Sequence, residues 1–402
     1  MEIDRSRIIA YQQCPRQRYL GYHIHGTGLQ RKSKALPLQF GSAFHEGVEG
    51  LLLHEKVEEG VIRAHDFLED VFAAHQIGFD NETPDDVQKA MEYGKEEQMA
   101  LAEGLLRAWW AYEGKSFLEN FEVLEVEQEG RAVLSDDLVL MFRPDALVRD
   151  RQSGDLYIVS WKTCATFGPR NVNQARHDMQ SMSEVWGKEE VLKDREMEHW
   201  RIEGVLYKWI VKGSRRKDNY DGLYKQGSHL IYGWQKLGTG GGDDAEWSWA
   251  YEFTTEEGKT SRLGKGWKKV PIWREYPGGV KQWIEDLSKG EVFPRGVDTL
   301  GSVFPQALPV ERREDEVESW KRQVVMQELD VADSVDRMSS PEYAHHSERH
   351  RLDVLFPQWT HSCHSYSGCP FIPICWEGAA AEPGELYQIR TANHPEKGEG
   401  DE

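Results

Sequence analysis

Residues 143–163 read RPDALVRDRQSGDLYIVSWKT, and the fold turns on how that stretch is parsed. Apolar runs at 137–148 and 156–161 flank a polar turn centred on Ser153 and Gly154, the pattern of a β-hairpin or of two sequential strands. Asp145 then falls late in the first strand, and Lys162 closes the second. A carboxylate and an amine set side by side at a sheet rim are the minimum for metal-assisted phosphodiester hydrolysis. The acid holds a divalent cation, while the amine orients or deprotonates the attacking water and offsets the charge that builds on phosphorus.

Working outward, FEVLEVEQEGRAV at 121–133 reads as the first strand of the same sheet and carries Glu127. Beyond Thr163, the loop CATFGPR leads into a helix from about Val172. Gln180 and Glu184 lie four apart on it and so share one face. Further strands follow at 202–212 and 228–234. Upstream, QFGSAFHEGVEGLLLH at 39–54 is a helix with His45 one turn from Glu49. Taken alone, such a histidine is more often an ordinary surface or core residue. Helical patterns fill 64–120, an insertion between that helix and the sheet. Its Trp109, Trp110 and Tyr112 serve as core or, if exposed, as stacking surface for bases. Residues 6–20 form a short amphipathic helix, with Ser6 as N-cap and Ile8, Ile9 and Tyr11 on its apolar side, broken at Cys14-Pro15. A helix ends at Gly290, and another occupies 312–333, where solvated charges suggest no chemistry.

Cysteine placement says more than cysteine number. Cys363, Cys369 and Cys375 recur with five residues between each in a turn-rich segment, LFPQWTHSCHSYSGCPFIPICW. Loops of this kind can fold several thiolates around one ion or cluster. A fourth ligand is needed, and Cys14 is the natural choice. Zinc would also be satisfied by four thiolates. Cys164, directly after the lysine motif, reads as structural.

Pro144-Asp145 followed by Ser160-Trp161-Lys162-Thr163 resembles the PD-(D/E)XK nuclease superfamily, and in particular its RecB-type branch, which includes the CRISPR-adaptation exonucleases. That family carries a second acid two residues before the lysine, where this chain has Ser160. The resemblance implies that Asp145 holds a Mg²⁺ or Mn²⁺ ion, and that Lys162 positions the water. His45, four residues after Gly41, matches the spacing of the family's ligating histidine, and Glu127 stands where the family often has a glutamate. Gln180 matches the lead of the Gln-x-x-x-Tyr motif that contacts the substrate backbone, with Glu184 in place of the tyrosine. Glu184 is the first candidate to replace the missing acid as a metal ligand, and Asp178 the second. Cys14, Cys363, Cys369 and Cys375 find counterparts in the iron-sulfur members, whose [4Fe-4S] cluster staples the domain ends together.

Composition sets outer bounds. The chain has 402 residues, of which 39% are hydrophobic and 29% charged, enough for one large globular domain. Its net charge of −20 argues against a nonspecific nucleic-acid coat but permits a local basic groove. Candidates for that groove are Arg5, Arg7, Arg16, Arg18, the runs 212–217 and 265–269, and the loop GSRRKDNYDGLYKQG. GTGGGDD at 238–244 lacks the ending of a phosphate-binding P-loop. With no membrane-length apolar run and no secretion-type leader, a cytoplasmic location and no membrane partner are expected.

The expected fold is α/β: a restriction-endonuclease-like mixed central sheet flanked by helices, in one domain over 1–376, with a disordered acidic tail at 377–402. The expected function is a metal-dependent DNA nuclease, an exonuclease acting on single-stranded ends, working with recombination, repair or CRISPR-adaptation proteins. The alternative is a DNA-binding or scaffolding protein that kept the fold while Ser160 impaired catalysis.

Overall fold

The computed structural model describes residues 2–32, 36–76, 85–136, 138–195, 201–213, 234–237, 246–249, 253–254, 260–261, 279–294, 297–363, 368–384 and 386–391. The chain opens with strand β1 (Glu2–Asp4), helices α1 (Arg5–Gln13) and α2 (Pro15–Tyr22), and strand β2 (Leu29–Arg31). Helices α3 (Leu36–His54), α4 (Val57–Gln76), α5 (Asp85–Trp109) and α6 (Lys115–Asn120) follow. Next come β3 (Phe121–Val126), β4 (Gly130–Ser135), β5 (Leu138–Phe142), β6 (Ala146–Asp150) and β7 (Leu156–Cys164). Helices α7 (Pro169–Arg176) and α8 (Met179–Asp194) cross over to β8 (Ile202–Val211). Later helices are α9 (Gly279–Lys289), α10 (Leu300–Val303), α11 (Glu314–Met338) and α12 (Glu348–Leu355).

Four strands make the central sheet, in the order β3-β6-β7-β8. The β3–β6 and β6–β7 pairs are antiparallel, while β7–β8 is parallel. A parallel neighbour cannot be reached by a tight turn, which is why α7 and α8 lie between those two strands. Both faces are covered, and the side chains alternate accordingly. Val148, Val159 and Trp161 join the core built with α3, α4 and α5, whereas Leu147, Ile158 and Val205 join Ala175, Val185 and Leu192 of α7 and α8. Period-two alternation therefore puts Ser160 and Lys162 on the α8 side.

A second sheet, β1-β5-β4, pairs the N-terminal strand in parallel with β5. The run 137–148 is thus two strands in two sheets rather than one. The break falls at Arg143-Pro144-Asp145, where proline has no N–H for a ladder. Residues 121–133 divide in the same way: β3 ends at Val126, and Glu127 takes a left-handed backbone (φ 48°) before β4 begins in the other sheet.

Other expectations shift locally. The first helix is capped by Asp4, not Ser6, and is split at Cys14 into α1 and α2. The helix expected from Val172 is likewise two, because Asp178 caps a fresh start at Met179. The tail expected to be disordered from 377 contains a strand, Tyr387–Ile389, paired antiparallel with β2 through a buried Tyr387. The basic loop, most of the 228–234 strand, GTGGGDD and the 265–269 run lie outside the described residues.

Candidate metal centre

The site is assembled where the two sheets part. The β6–β7 register pairs Ala146 with Val159, so Asp145 stands across from Ser160. Asp145 Oδ2 accepts a 2.7 Å hydrogen bond from the Trp161 backbone N–H, which fixes the carboxylate at the strand end. Helix α3 lies against this edge through the fully buried Phe40, Ala43 and Phe44, and the next residue, His45, is thereby turned to the rim. The approach depends on Gly41, since a Cβ there would stand 3.2 Å from Thr163 Oγ1 of β7.

His45 Nδ1 lies 3.4 Å from Asp145 Oδ1 and 3.9 Å from Glu127 Oε1. Donor atoms of His45, Glu127 and Asp145 all fall within 4.8 Å of one another, the one such trio among the described residues. Glu127 reaches it because its left-handed backbone turns the chain just after β3, while its N–H donates to the Asp145 carbonyl at 3.0 Å. Such a conformation in a non-glycine residue costs free energy and gathers at functional sites. Arg143 Nε sits 3.0 Å from Glu127 Oε2.

On the α8 side a chain of hydrogen bonds runs inward. Lys162 Nζ donates to Gln180 Oε1 at 2.9 Å, and Gln180 Nε2 donates to Glu184 Oε1 at 2.6 Å. Glu184 is 3% exposed and Ser160 1%, and Glu184 Oε2 and Ser160 Oγ are both buried without a hydrogen-bond partner. Burial first, and Asp145 second, push the Glu184 carboxyl up to about 8. Burial opposes the charge on His45 and Asp145 as well, but their mutual attraction wins. His45 rises to about 10 and Asp145 falls to about 2.

This arrangement fits a divalent cation. Two carboxylates and an imidazole converge, the histidine holds a proton that a cation would replace, and buried oxygens nearby lack partners. Asp178 is otherwise engaged: it caps α8 by accepting from the Gln180 N–H at 3.0 Å and receives the Tyr207 hydroxyl at 3.3 Å. Glu127 belongs to the compact trio, and Glu184 lies outside it on the α8 side. The signal for Glu127 was its place in the chain; its backbone turn was not readable.

A model of the PD-(D/E)XK nuclease superfamily matches residues 5–376. The chain belongs to this superfamily. No curated protein matches it. Metal-dependent hydrolysis of phosphodiester bonds in DNA is PD-(D/E)XK chemistry, and the mixed sheet flanked by helices is a PD-(D/E)XK fold. Among the described residues, no helix of this PD-(D/E)XK chain is long and apolar enough to cross a membrane.

Elsewhere in the superfamily domain, Cys14, Cys363, Cys369 and Cys375 line one pocket with Arg16, Gln17 and Trp359. None forms a disulfide. Cys14 Sγ accepts from the Trp359 N–H at 3.4 Å, and the Cys369 N–H donates to the Cys363 carbonyl at 2.8 Å. Burial pushes the Cys369 thiol up to about 11 and raises Cys375. Among the described residues no three of these sulfurs lie within 4.8 Å of one another. Cys164 is apart from them, next to Lys212, and burial lifts its thiol to about 11.

Proposed function

We propose that this chain is a Mg²⁺- or Mn²⁺-dependent deoxyribonuclease that removes nucleotides from single-stranded ends. The observation that carries the reading is the convergence of His45, Glu127 and Asp145 at a strand end, with Lys162 leaving the neighbouring strand. His45, Asp145 and Glu127 would hold the ion, and Glu184 would add an oxygen on the α8 side in place of the missing acid. The cation, when bound, would lower the pKa of water and stabilise charge on phosphorus. Lys162 then orients the attacking water. Gln180 holds the Lys162 amine in place, and through it Glu184 is tied to the same pocket. The preference for single-stranded ends is supported by the resemblance to RecB-type exonucleases.

The four pocket cysteines would hold a metal group joining the two ends of the domain. A [4Fe-4S] cluster is the reading supported by the resemblance to the iron-sulfur RecB-type nucleases, and absorbance of the purified protein near ~400 nm separates it from zinc. Four thiolates also satisfy tetrahedral zinc, which is the alternative group.

The test is cleavage of labelled single-stranded DNA with Mn²⁺. Wild-type protein is expected to shorten it from an end, and Asp145→Ala and Lys162→Ala to abolish cutting. Glu184→Gln is expected to raise the Mn²⁺ requirement; unchanged activity would remove Glu184 from the site. A second reading draws on the buried Ser160 hydroxyl standing where an acid would be. On that reading the protein binds DNA without cutting it, and wild-type binding with no cleavage at any metal concentration is the result that would establish it.

A further inference from the structure

The cations around the centre are not all accounted for by the mechanism. Lys162 is turned toward Gln180, on the α8 side of Asp145. Beside Glu127, a member of the metal-binding trio, stands Arg143, whose side chain is 33% exposed. It is placed there by the crossing between sheets: β5 ends at Phe142, β6 starts at Ala146, and Pro144 restricts the residue before it to extended backbone. Arg143 meets Glu127 through Nε, and among the described residues its Nη1 and Nη2 make no hydrogen bond. Here one edge of the guanidinium is committed and the outer edge remains open at the rim.

We propose that Arg143 binds a non-bridging phosphate oxygen of the DNA strand beside the metal centre, resting on the nuclease reading above. Its planar fork matches a phosphate edge in a way that an ammonium does not. The chain's net charge of −20 makes such a contact consequential, because a polyanion must be drawn into a site with two carboxylates on an acidic molecule. Arg143 beside Glu127 and Lys162 on the α8 side would both face the strand near Asp145. The Nε contact to Glu127 aims the guanidinium and keeps it near the reacting phosphate.

The experiment measures binding of a fluorescein-labelled single strand by anisotropy in Ca²⁺, over a series of KCl concentrations, and steady-state cleavage in Mn²⁺. For Arg143→Ala, we expect binding about tenfold weaker, as for loss of one charged hydrogen bond. The slope of log affinity against log salt should shrink by about 0.7, the value for one phosphate contact on a single strand. KM should rise while the Mn²⁺ concentration for half-maximal rate stays put, and Arg143→Lys should restore part of the affinity. If Arg143 serves only to anchor Glu127, Arg143→Ala will leave affinity and salt slope unchanged and raise the Mn²⁺ requirement as Glu127→Gln does; that result overturns the proposal while leaving the nuclease reading intact. If wild-type protein neither binds nor cuts the strand, both fall together.

Discussion

At the scale of single residues, the centre is poised around one proton. His45 is held protonated by Asp145, with its pKa raised from 6.5 to about 10, and Asp145 is held ionised at about 2. In the folded metal-free protein the histidine's share of this attraction is fully present below pH 6.5 and is lost as pH rises through 10. The aspartate's share is present above 3.8 and lost as pH falls through 2. A cation taking His45 as a ligand must displace that proton. Apparent Mn²⁺ affinity should therefore rise close to tenfold per pH unit between about pH 8 and pH 10, with about one proton released per ion, and more steeply below pH 8 where Glu184 also gives up a proton. Titration calorimetry in two buffers of different ionisation enthalpy reads the proton count directly. His45→Gln should abolish the pH dependence above about pH 8, leaving below it only the share of Glu184, and a wild-type affinity flat between pH 8 and pH 10 would remove His45 from the ligand set. His45, Asp145, Lys162 and Gln180 were legible because each sits in a short motif with local spacing. Glu127 was legible only as a position, since its role depends on a single left-handed residue that propensity does not announce.

At the scale of elements, the α7–α8 turn shows how a distant segment sets the geometry of the site. Arg312 is buried. Its guanidinium donates to the Arg176 carbonyl at 2.6 Å, the Ala175 carbonyl at 2.8 Å and Ser181 Oγ at 3.0 Å. It thus ties the end of α7 to the first turn of α8, directly beside Gln180. Val310, two residues earlier, hydrogen-bonds in both directions with Val205 of β8, so the segment is anchored to the sheet as well. Arg312→Ala would leave several buried acceptors without donors. Its expected cost is at least about 3 kcal/mol of stability, at about 1–3 kcal/mol per orphaned group. Thermal melts give the stability change, and cleavage kinetics give its consequence. The expected kinetic signature is a lower kcat with DNA affinity retained, because the Lys162–Gln180 hydrogen bond depends on where α8 begins. A melting temperature equal to wild type would show that the turn holds itself. The sequence offered no sign of this role: the contacts span more than a hundred residues, whereas periodicity reports only on neighbours. The same blindness explains the strand breaks. Apolar residues lie on both sides of Arg143-Pro144-Asp145, and only that short break marks where one sheet hands over to the other.

At the scale of the whole molecule, the two ends of the chain are interlocked. Arg16 Nε donates to the Phe356 carbonyl at 2.8 Å. Arg18 and Glu328 form a fully buried pair at 2.6 Å, and Arg390 Nε donates to the Gly21 carbonyl at 2.6 Å. The strand Tyr387–Ile389 adds to β2, and β1 adds to β5 just before Arg143. Closure of the ends is thereby connected to the site, since β5 leads into the crossing that holds Asp145. The spacing of Cys363, Cys369 and Cys375 pointed to this closure, and Cys14 lines the same pocket. The surrounding ion pairs and strand additions were hidden, because each joins residues more than a hundred positions apart. If the four thiols hold one group, they act as a unit, and losing any one ligand should forfeit most of what the group contributes. Cys14→Ser and Cys375→Ser are then expected to lower the melting temperature by similar amounts, and the double variant by little more than either alone. Both single variants should also lose absorbance near ~400 nm if the group is an iron-sulfur cluster. Fully additive losses in the double variant would mean that the two cysteines stabilise the fold through separate contacts, and the shared metal group would have to be abandoned even though the thiols line one pocket.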